Sequence, residues 1–289
     1  MSTFGRLLTA MVTPFDDELR VDRDKTEKLV EHLIATGTTA LVVGGTTGES
    51  PTLTSQEKIG LFRLVVEIVN GRIPVIAGTG SNNTAASVEL TQKANETGVD
   101  GIMLVVPYYN KPSQEGLYRH FKAAASATEL PVMLYNIPGR SVINMTVDTV
   151  VRLANDVKNI VAIKEASSEI SQMSFIIDRT PDDFVLYTGD DKMTLPCMSI
   201  GGAGVVSVAS HVIGNEMTEM INAFLSGDLA KASRLHRQWL PVFEGLFMAP
   251  SPAPVKAALA LKGIDTGGVR LPLVELTEAE QEFVKELFA

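Results

Sequence analysis

Short apolar runs recur along the chain, separated by longer stretches in which apolar positions return with helical spacing. The runs are Leu7–Met11, Ala40–Val43, Val75–Ala77, Ile102–Val106, Val132–Tyr135, Ile160–Ile163, Val185–Thr188 and Val205–Val208. They are brief, rich in Val, Ile and Leu, and show no polar alternation. That pattern predicts strands buried on both faces, as in a parallel sheet covered by helices. The intervening stretches predict helices, among them Gln56–Val69, Ala85–Glu96 and Gln114–Ala127. Thr54 followed by Glu57 offers a hydroxyl and a carboxylate at one helix entry, and Ser113 with Glu115 does so at another. Gly37, Gly71 and Gly98 stand where a helix must stop before the next strand.

The strand–helix unit repeats about eight times, and such units enforce right-handed crossovers. Eight of them favour closure into an α/β fold of the (β/α)₈ TIM barrel type over an open doubly wound sheet. No G-x-G-x-x-G opens a helix, which weakens a dinucleotide-binding reading. From about Gly227 the pattern changes. Leu229–Phe243, Pro254–Leu261 and Thr277–Phe288 read as helices, and no strand follows. The expected organisation is a catalytic barrel over 1–226 and a helical C-terminal domain over 227–289. No low-complexity linker separates them, so the extension should pack on the barrel.

A length of 289 residues suits a barrel of roughly 250 plus such an appendage. The net charge of −9 argues against nucleic-acid or anionic-membrane partners, which need concentrated Lys and Arg. A single cysteine, Cys197, excludes an intrachain disulfide and a cysteine-based metal site. His32, His120, His211 and His236 lack metal-ligand spacing and read as core or surface residues, so no metal is expected. No basic start precedes an apolar leader, and no apolar run approaches membrane-spanning length. A reducing cytoplasm is the expected location.

Barrel sites form at the C-terminal ends of strands, and four segments bring reactive side chains there. Lys164 follows Val-Ala-Ile. A lysine aimed into a barrel is costly to charge, which favours the nucleophilic free amine, although a snorkelling lysine fits the segment equally well. Tyr135 closes Val-Met-Leu-Tyr and can exchange a proton, while Arg140 follows a Pro-Gly turn and suits bidentate grip on a carboxylate. Taken alone, a core tyrosine and a surface arginine explain that segment as well. Gly44-Gly45-Thr46-Thr47-Gly48-Glu49-Ser50 can bring backbone N–H groups to an anion and hydroxyls to a proton relay. A plain βα turn is the alternative, and no P-loop lysine follows. Tyr108 and Tyr109, between Pro107 and Pro112, should point opposite ways in an extended segment, one to a pocket and one to an interface, unless both simply pack. The four together at four strand ends are far more specific than any one.

These residues resemble those of the dihydrodipicolinate synthase / N-acetylneuraminate lyase family over essentially the whole chain. The markers are Gly44-Gly45-Thr46-Thr47-Gly48-Glu49, Tyr135-Asn136-x-Pro138, and Lys164 within Ile-Lys-Glu-Ala-Ser. Arg140 and the Pro-Tyr-Tyr-Asn-Lys-Pro-Ser segment resemble the synthase branch rather than the sialic-acid lyases. The resemblance implies a Schiff base between Lys164 and pyruvate, with no other cofactor. Its enamine then attacks L-aspartate 4-semialdehyde to give 4-hydroxy-tetrahydrodipicolinate, in the diaminopimelate route to lysine. It further implies that Tyr135 is the general acid/base, with Thr46 and Tyr109 completing its relay. Thr47 would bind the pyruvate carboxylate, Val206 and Gly189 would line the pyruvate pocket, and Arg140 would hold the semialdehyde carboxylate. The residue matching Tyr109 reaches a neighbouring subunit in the family, which implies a homo-oligomer, a tetramer built from two dimers.

Two features of the resemblance are open to direct test. Many synthases of the family are inhibited by lysine through histidines after the Gly-Thr-Thr-Gly-Glu segment and a glutamate after the Gly-Ser-Asn turn. Here those positions are Ser55, Lys58 and Ala86, with Asn82 and Tyr108 kept, so weak or absent lysine feedback is expected. The alternatives are another pyruvate-dependent aldolase, a non-catalytic keto-acid-binding barrel, and a metal-dependent aldolase. The first lacks a reason for Arg140, the second would tolerate loss of Lys164, and the third lacks clustered histidines.

Overall fold

A computed structural model describes residues 4–289. Met1–Thr3, part of the start read above as carrying no leader, lie outside the described residues. Eight parallel strands close in sequence order into a barrel. They are β1 (Leu7–Ala10), β2 (Ala40–Val43), β3 (Val75–Gly78), β4 (Gly101–Val105), β5 (Val132–Asn136), β6 (Ile160–Glu165), β7 (Val185–Thr188) and β8 (Gly204–Ser207). Around them run α1 (Arg23–Ala35), α2 (Ser55–Val69), α3 (Thr84–Asn95) and α4 (Gln114–Ala125). The short α5 (Pro138–Ser141), then α6 (Val147–Asp156), α7 (Ile170–Arg179), α8 (Thr194–Ser199) and α9 (Ser210–Leu225), complete the ring. The C-terminal helices are α10 (Leu229–Gly245), α11 (Ala253–Leu261) and α12 (Glu278–Glu286). Among the described residues no helix is long and apolar enough to cross a membrane.

Every predicted strand is present, and each sits within two residues of its predicted bounds. The absence of polar alternation has a plain cause. Inward residues such as Leu8, Val42, Ile76, Met133 and Val206 form one cluster inside the barrel, and outward residues such as Leu41, Leu104, Leu134 and Ile163 pack beneath the helices. The caps hold as well. Thr54 and Glu57 form a reciprocal capping box at α2, and Thr277 with Glu280 forms another at α12, each worth about 1 kcal/mol by the usual cost of losing such a cap.

The barrel closes where β1 meets β8, with Leu7, Leu8 and Thr9 paired to Val205, Val206 and Ser207. Gly204 makes this seam possible, because a Cβ there would run into the carbonyl oxygen of Arg6. Two histidines serve the frame. His211 is fully buried, receives the Val12 amide on Nε2 and bonds the Val208 carbonyl through Nδ1 at 2.8 Å. His120 pairs with Thr84 at 2.9 Å, and burial pushes its pKa down to about 4.

Candidate active site

β6 is longer than its apolar run. The ladder continues through Lys164 and Glu165, which pair with Tyr187 and Thr188 on β7 and with Tyr135 and Asn136 on β5. Lys164 therefore lies inside the strand rather than just beyond it, one step above the inward-facing Ala162. It is 5% exposed, and its Nζ stands 4.2 Å from the centre of the Tyr135 ring. Among the described residues the ammonium has no hydrogen-bond or ion-pair partner. A snorkelling lysine would reach solvent or a carboxylate; this one does neither. A sheltered lysine amine with no competing partner is placed to act as a nucleophile.

Gly189, just beyond β7, is required by that lysine. A Cβ on it would stand 2.8 Å from Lys164 Cε and 2.8 Å from Ala166 Cβ. The Gly189 amide is tied to the Glu165 carbonyl at 2.9 Å, so the backbone cannot easily retreat. Gly189→Ala should therefore push the Lys164 side chain off its present path. A drop in kcat/KM of about 10²-fold with a near-normal fold is expected, on the scale set by ångström misplacement of a reacting group. Steady-state kinetics alongside circular dichroism checks this.

On the outer face of the same two strands lies a network that sequence reasoning missed. Asn136 Nδ2 donates to both Glu165 oxygens, at 3.1 and 3.0 Å, and to Asn144 Oδ1 at 2.7 Å. Glu165 also accepts the Ser167 amide at 2.8 Å and Gln172 Nε2 at 3.0 Å. Burial raises the Glu165 pKa, and the donors around it oppose the rise. Since Asn136 and Glu165 are the ladder neighbours of Tyr135 and Lys164, this network fixes the spacing of the two inward side chains. The signal was present as the residue following each strand-end candidate.

The loop after β2 is folded tightly on itself. Glu49 N donates to Thr46 O at 3.1 Å, Ser50 N to Gly45 O at 3.2 Å, and Thr13 Oγ1 to Gly48 O at 2.7 Å. The amides of Thr46 and Thr47 donate to no acceptor among the described residues, which leaves adjacent N–H groups available for an anion. Thr46 and Tyr135 both line one cavity of about 230 Å³, with Gly45, Tyr108, Ile137 and Arg140. No hydrogen bond joins the hydroxyls of Thr46 and Tyr135 among the described residues. Thr47 is buried beside the cavity wall, and Val206 is fully buried in the barrel interior with Tyr135 and Tyr187.

Arg140 sits on α5, whose first residue is Pro138, and its exposed side chain lines both this cavity and a neighbouring hollow reached by Gly189. Its guanidinium has no partner among the described residues. That hollow is walled on its far side by Phe247, Met248 and Pro250, from the C-terminal extension, which the sequence did not connect with the site. The paired tyrosines need a correction. The segment is not extended: Tyr109 has φ 75° and Lys111 φ 46°. Asn110 Nδ2 reaches Asn82 O at 2.8 Å and holds this turn. Tyr108 lines the cavity of its own chain, whereas Tyr109 is 88% exposed and stands away from Tyr135's pocket.

The arrangement thus offers a buried amine, a phenol on its ring-side flank, free amides and a cation at the rim. Several known proteins resemble the chain over nearly its whole length. The Dihydrodipicolinate synthetase family matches residues 3–289. The chain is 61% identical to 4-hydroxy-tetrahydrodipicolinate synthase 1 of Halalkalibacterium halodurans over 277 residues, covering 96% of this chain and 94% of the relative. It is 58% identical to 4-hydroxy-tetrahydrodipicolinate synthase of Bacillus subtilis over 278 residues, covering 96% of each. Its fold superposes on the crystal structure of dihydrodipicolinate synthase DapA-2 from Bacillus anthracis with a TM-score of 0.98 at 61% identity, covering 99% and 98% of the two chains. A dihydrodipicolinate synthase from Cyanidioschyzon merolae, solved with lysine bound, is 48% identical with a TM-score of 0.97, covering 100% of this chain and 98% of that one.

Proposed function

Since the chain belongs to the dihydrodipicolinate synthetase family, we propose that Lys164 carries the reaction of that family as a Schiff base. The enzyme is a lyase with 4-hydroxy-tetrahydrodipicolinate synthase activity, and its substrates are pyruvate and L-aspartate 4-semialdehyde. The observation that carries the mechanistic reading is the buried, unpartnered amine of Lys164 beside Tyr135. The free amine adds to C2 of pyruvate, and loss of water leaves an iminium. A proton leaves the methyl carbon to give an enamine, with the iminium as electron sink and no metal or further cofactor. The enamine carbon attacks the semialdehyde carbonyl, whose oxygen takes a proton. The semialdehyde amino group then adds to the imine carbon, displaces Lys164 and closes the ring.

Each transfer needs a proton donor near the reacting carbon, and Tyr135 supplies it. A phenol is a weak acid/base in neutral water, so the Thr46 hydroxyl, on the same cavity wall, and Tyr109 from a neighbouring subunit relay the proton. The two hydroxyls close up on each other only once substrate fills the cavity, as apo catalytic hydrogen bonds often do. The free amides of Thr46 and Thr47 and the Thr47 hydroxyl take the pyruvate carboxylate, with Val206 beneath the methyl group and Gly189 beside the lysine stem. Arg140, unpaired at the rim, takes the semialdehyde carboxylate. The exposure and left-handed backbone of Tyr109 support a homo-oligomer, a dimer pair forming a tetramer, in which that ring enters a second chain's site. A single buried Cys197, its thiol pushed up to about 12 by burial, suits a reducing cytoplasm.

Borohydride reduction in the presence of pyruvate tests the Schiff base. One pyruvate-derived mass should appear on the peptide bearing Lys164, and a wild-type protein that takes up none sinks the mechanism. Lysine feedback should be weak. Lys58 is half-buried with its pKa lowered by burial, and Ala86 offers no carboxylate to a bound lysine ammonium. Submillimolar lysine should leave the rate within about twofold of the uninhibited value, as expected for a charged ligand whose counter-charge is missing. Strong inhibition in that range would contradict this.

A further inference from the structure

The loop bearing Thr46 and Thr47 is braced from the far end of the sequence. Glu49 ends that loop in a left-handed backbone conformation, φ 56°. Its side chain is fully buried, and among the described residues its carboxylate is held only by the C-terminal extension. Lys256 Nζ on α11 lies 2.9 Å from one oxygen, and the Arg270 amide donates to the other at 2.9 Å. Lys256 is itself 4% exposed, donates to the Gly268 carbonyl at 2.6 Å and stands 4.4 Å from the centre of the Phe15 ring. The Arg270 guanidinium lies 4.6 Å from the same ring centre and grips Thr52 O at 2.8 Å and Glu57 Oε1 at 2.6 Å. Both ends of the turn that follows Thr47 are therefore fastened to residues beyond the barrel.

A buried ion pair is a poor device for stability, since apolar groups of the same shape often serve as well or better. Here its placement matters more. The Glu49 amide is bonded to the Thr46 carbonyl, so a shift of Glu49 is passed directly to the peptide group that carries the Thr47 amide. Burial pulls the Lys256 pKa down, and Glu49 beside it opposes that; either group alone would be an uncompensated charge. We propose that Lys256 and Glu49 are a positioning pair, through which the C-terminal extension sets the conformation of the Thr46–Thr47 turn and so the affinity for the keto-acid carboxylate. This rests on the reading of that turn as the carboxylate's seat.

The test compares Glu49→Gln, Lys256→Met and the double variant in the full-length enzyme. Each single variant should raise KM for pyruvate about tenfold or more, with kcat and KM for the semialdehyde within about threefold, the signature of lost substrate binding rather than lost chemistry. The double variant should be no worse than the poorer single one, since paired residues are not additive. Deuterium uptake over residues 44–53 should rise while β5 and β6 are unchanged. A lowered melting temperature with unaltered KM for pyruvate would make the pair a mere brace and overturn the proposal, as would additive losses in the double variant. If Lys256→Met fails to fold, Glu49→Gln, nearly the same shape, decides alone. Should the unaltered enzyme form no borohydride adduct with pyruvate, the Schiff-base reading falls by itself. Uptake over 44–53 still decides the positioning claim, and no rise there defeats it.

Discussion

Lys164→Ala should reduce turnover by at least about 10³-fold and abolish the borohydride-trapped adduct, while the barrel still folds. The size follows from the absence of a substitute. No other lysine lies on the inward face of β5 to β8, and on the proposed mechanism the keto acid has no electron sink without covalent capture. Stability should not follow activity down. The amine has no hydrogen-bond or ion-pair partner among the described residues, so its removal leaves no buried polar group unsatisfied, and only the cavity left by the stem counts against the variant. Lys164→Met separates the two effects, because it keeps the stem against Gly189 and the Tyr135 ring but has no amine. It should be as inactive as the alanine variant and at least as heat-stable as the parent. Turnover within tenfold of the parent in either variant would remove Lys164 from the mechanism.

Tyr135→Phe should lower kcat by about 10²–10⁴-fold, the range for loss of a positioned acid/base, with KM for pyruvate changed little. The ring that flanks the Lys164 amine at 4.2 Å is retained, so geometry is preserved and only the proton is lost. The adduct should still form, slowly, since the lysine remains. A variant that captures pyruvate and condenses it at the parental rate would show that another group moves the proton. The network behind the site predicts the same separation from the other side: Asn136 and Glu165 bond each other on the outer face, behind Tyr135 and Lys164.

The strands were legible because burial on both faces erases polar alternation, and the barrel followed from their number and spacing. β6 was read short because Lys164 and Glu165 end the apolar run. Their backbone nonetheless continues the ladder, with the amine sheltered inside and the carboxylate held by Asn136, Ser167 and Gln172. The backbone around Tyr109 departs from the extended form for a related reason. Flanking prolines favour extended backbone, but the contact of Asn110 with Asn82, distant in sequence, imposes a turn. Lys164, Tyr135, Thr46 and Arg140 could be picked out as strand-end residues. Glu49 with Lys256, and the Phe247–Pro250 wall, could not, because their meaning arises only when the two ends of the chain are brought together.

The seam between β1 and β8 has a cost during synthesis. Leu8 leaves the ribosome early, but its partner Val206 follows only after six intervening strands. Throughout that interval the growing sheet carries two raw borders of unpaired amides and carbonyls, flanked by Val- and Leu-rich segments. Such borders invite pairing with another nascent chain. The finished cylinder has no border at all, so the hazard ends when the last strand snaps into place.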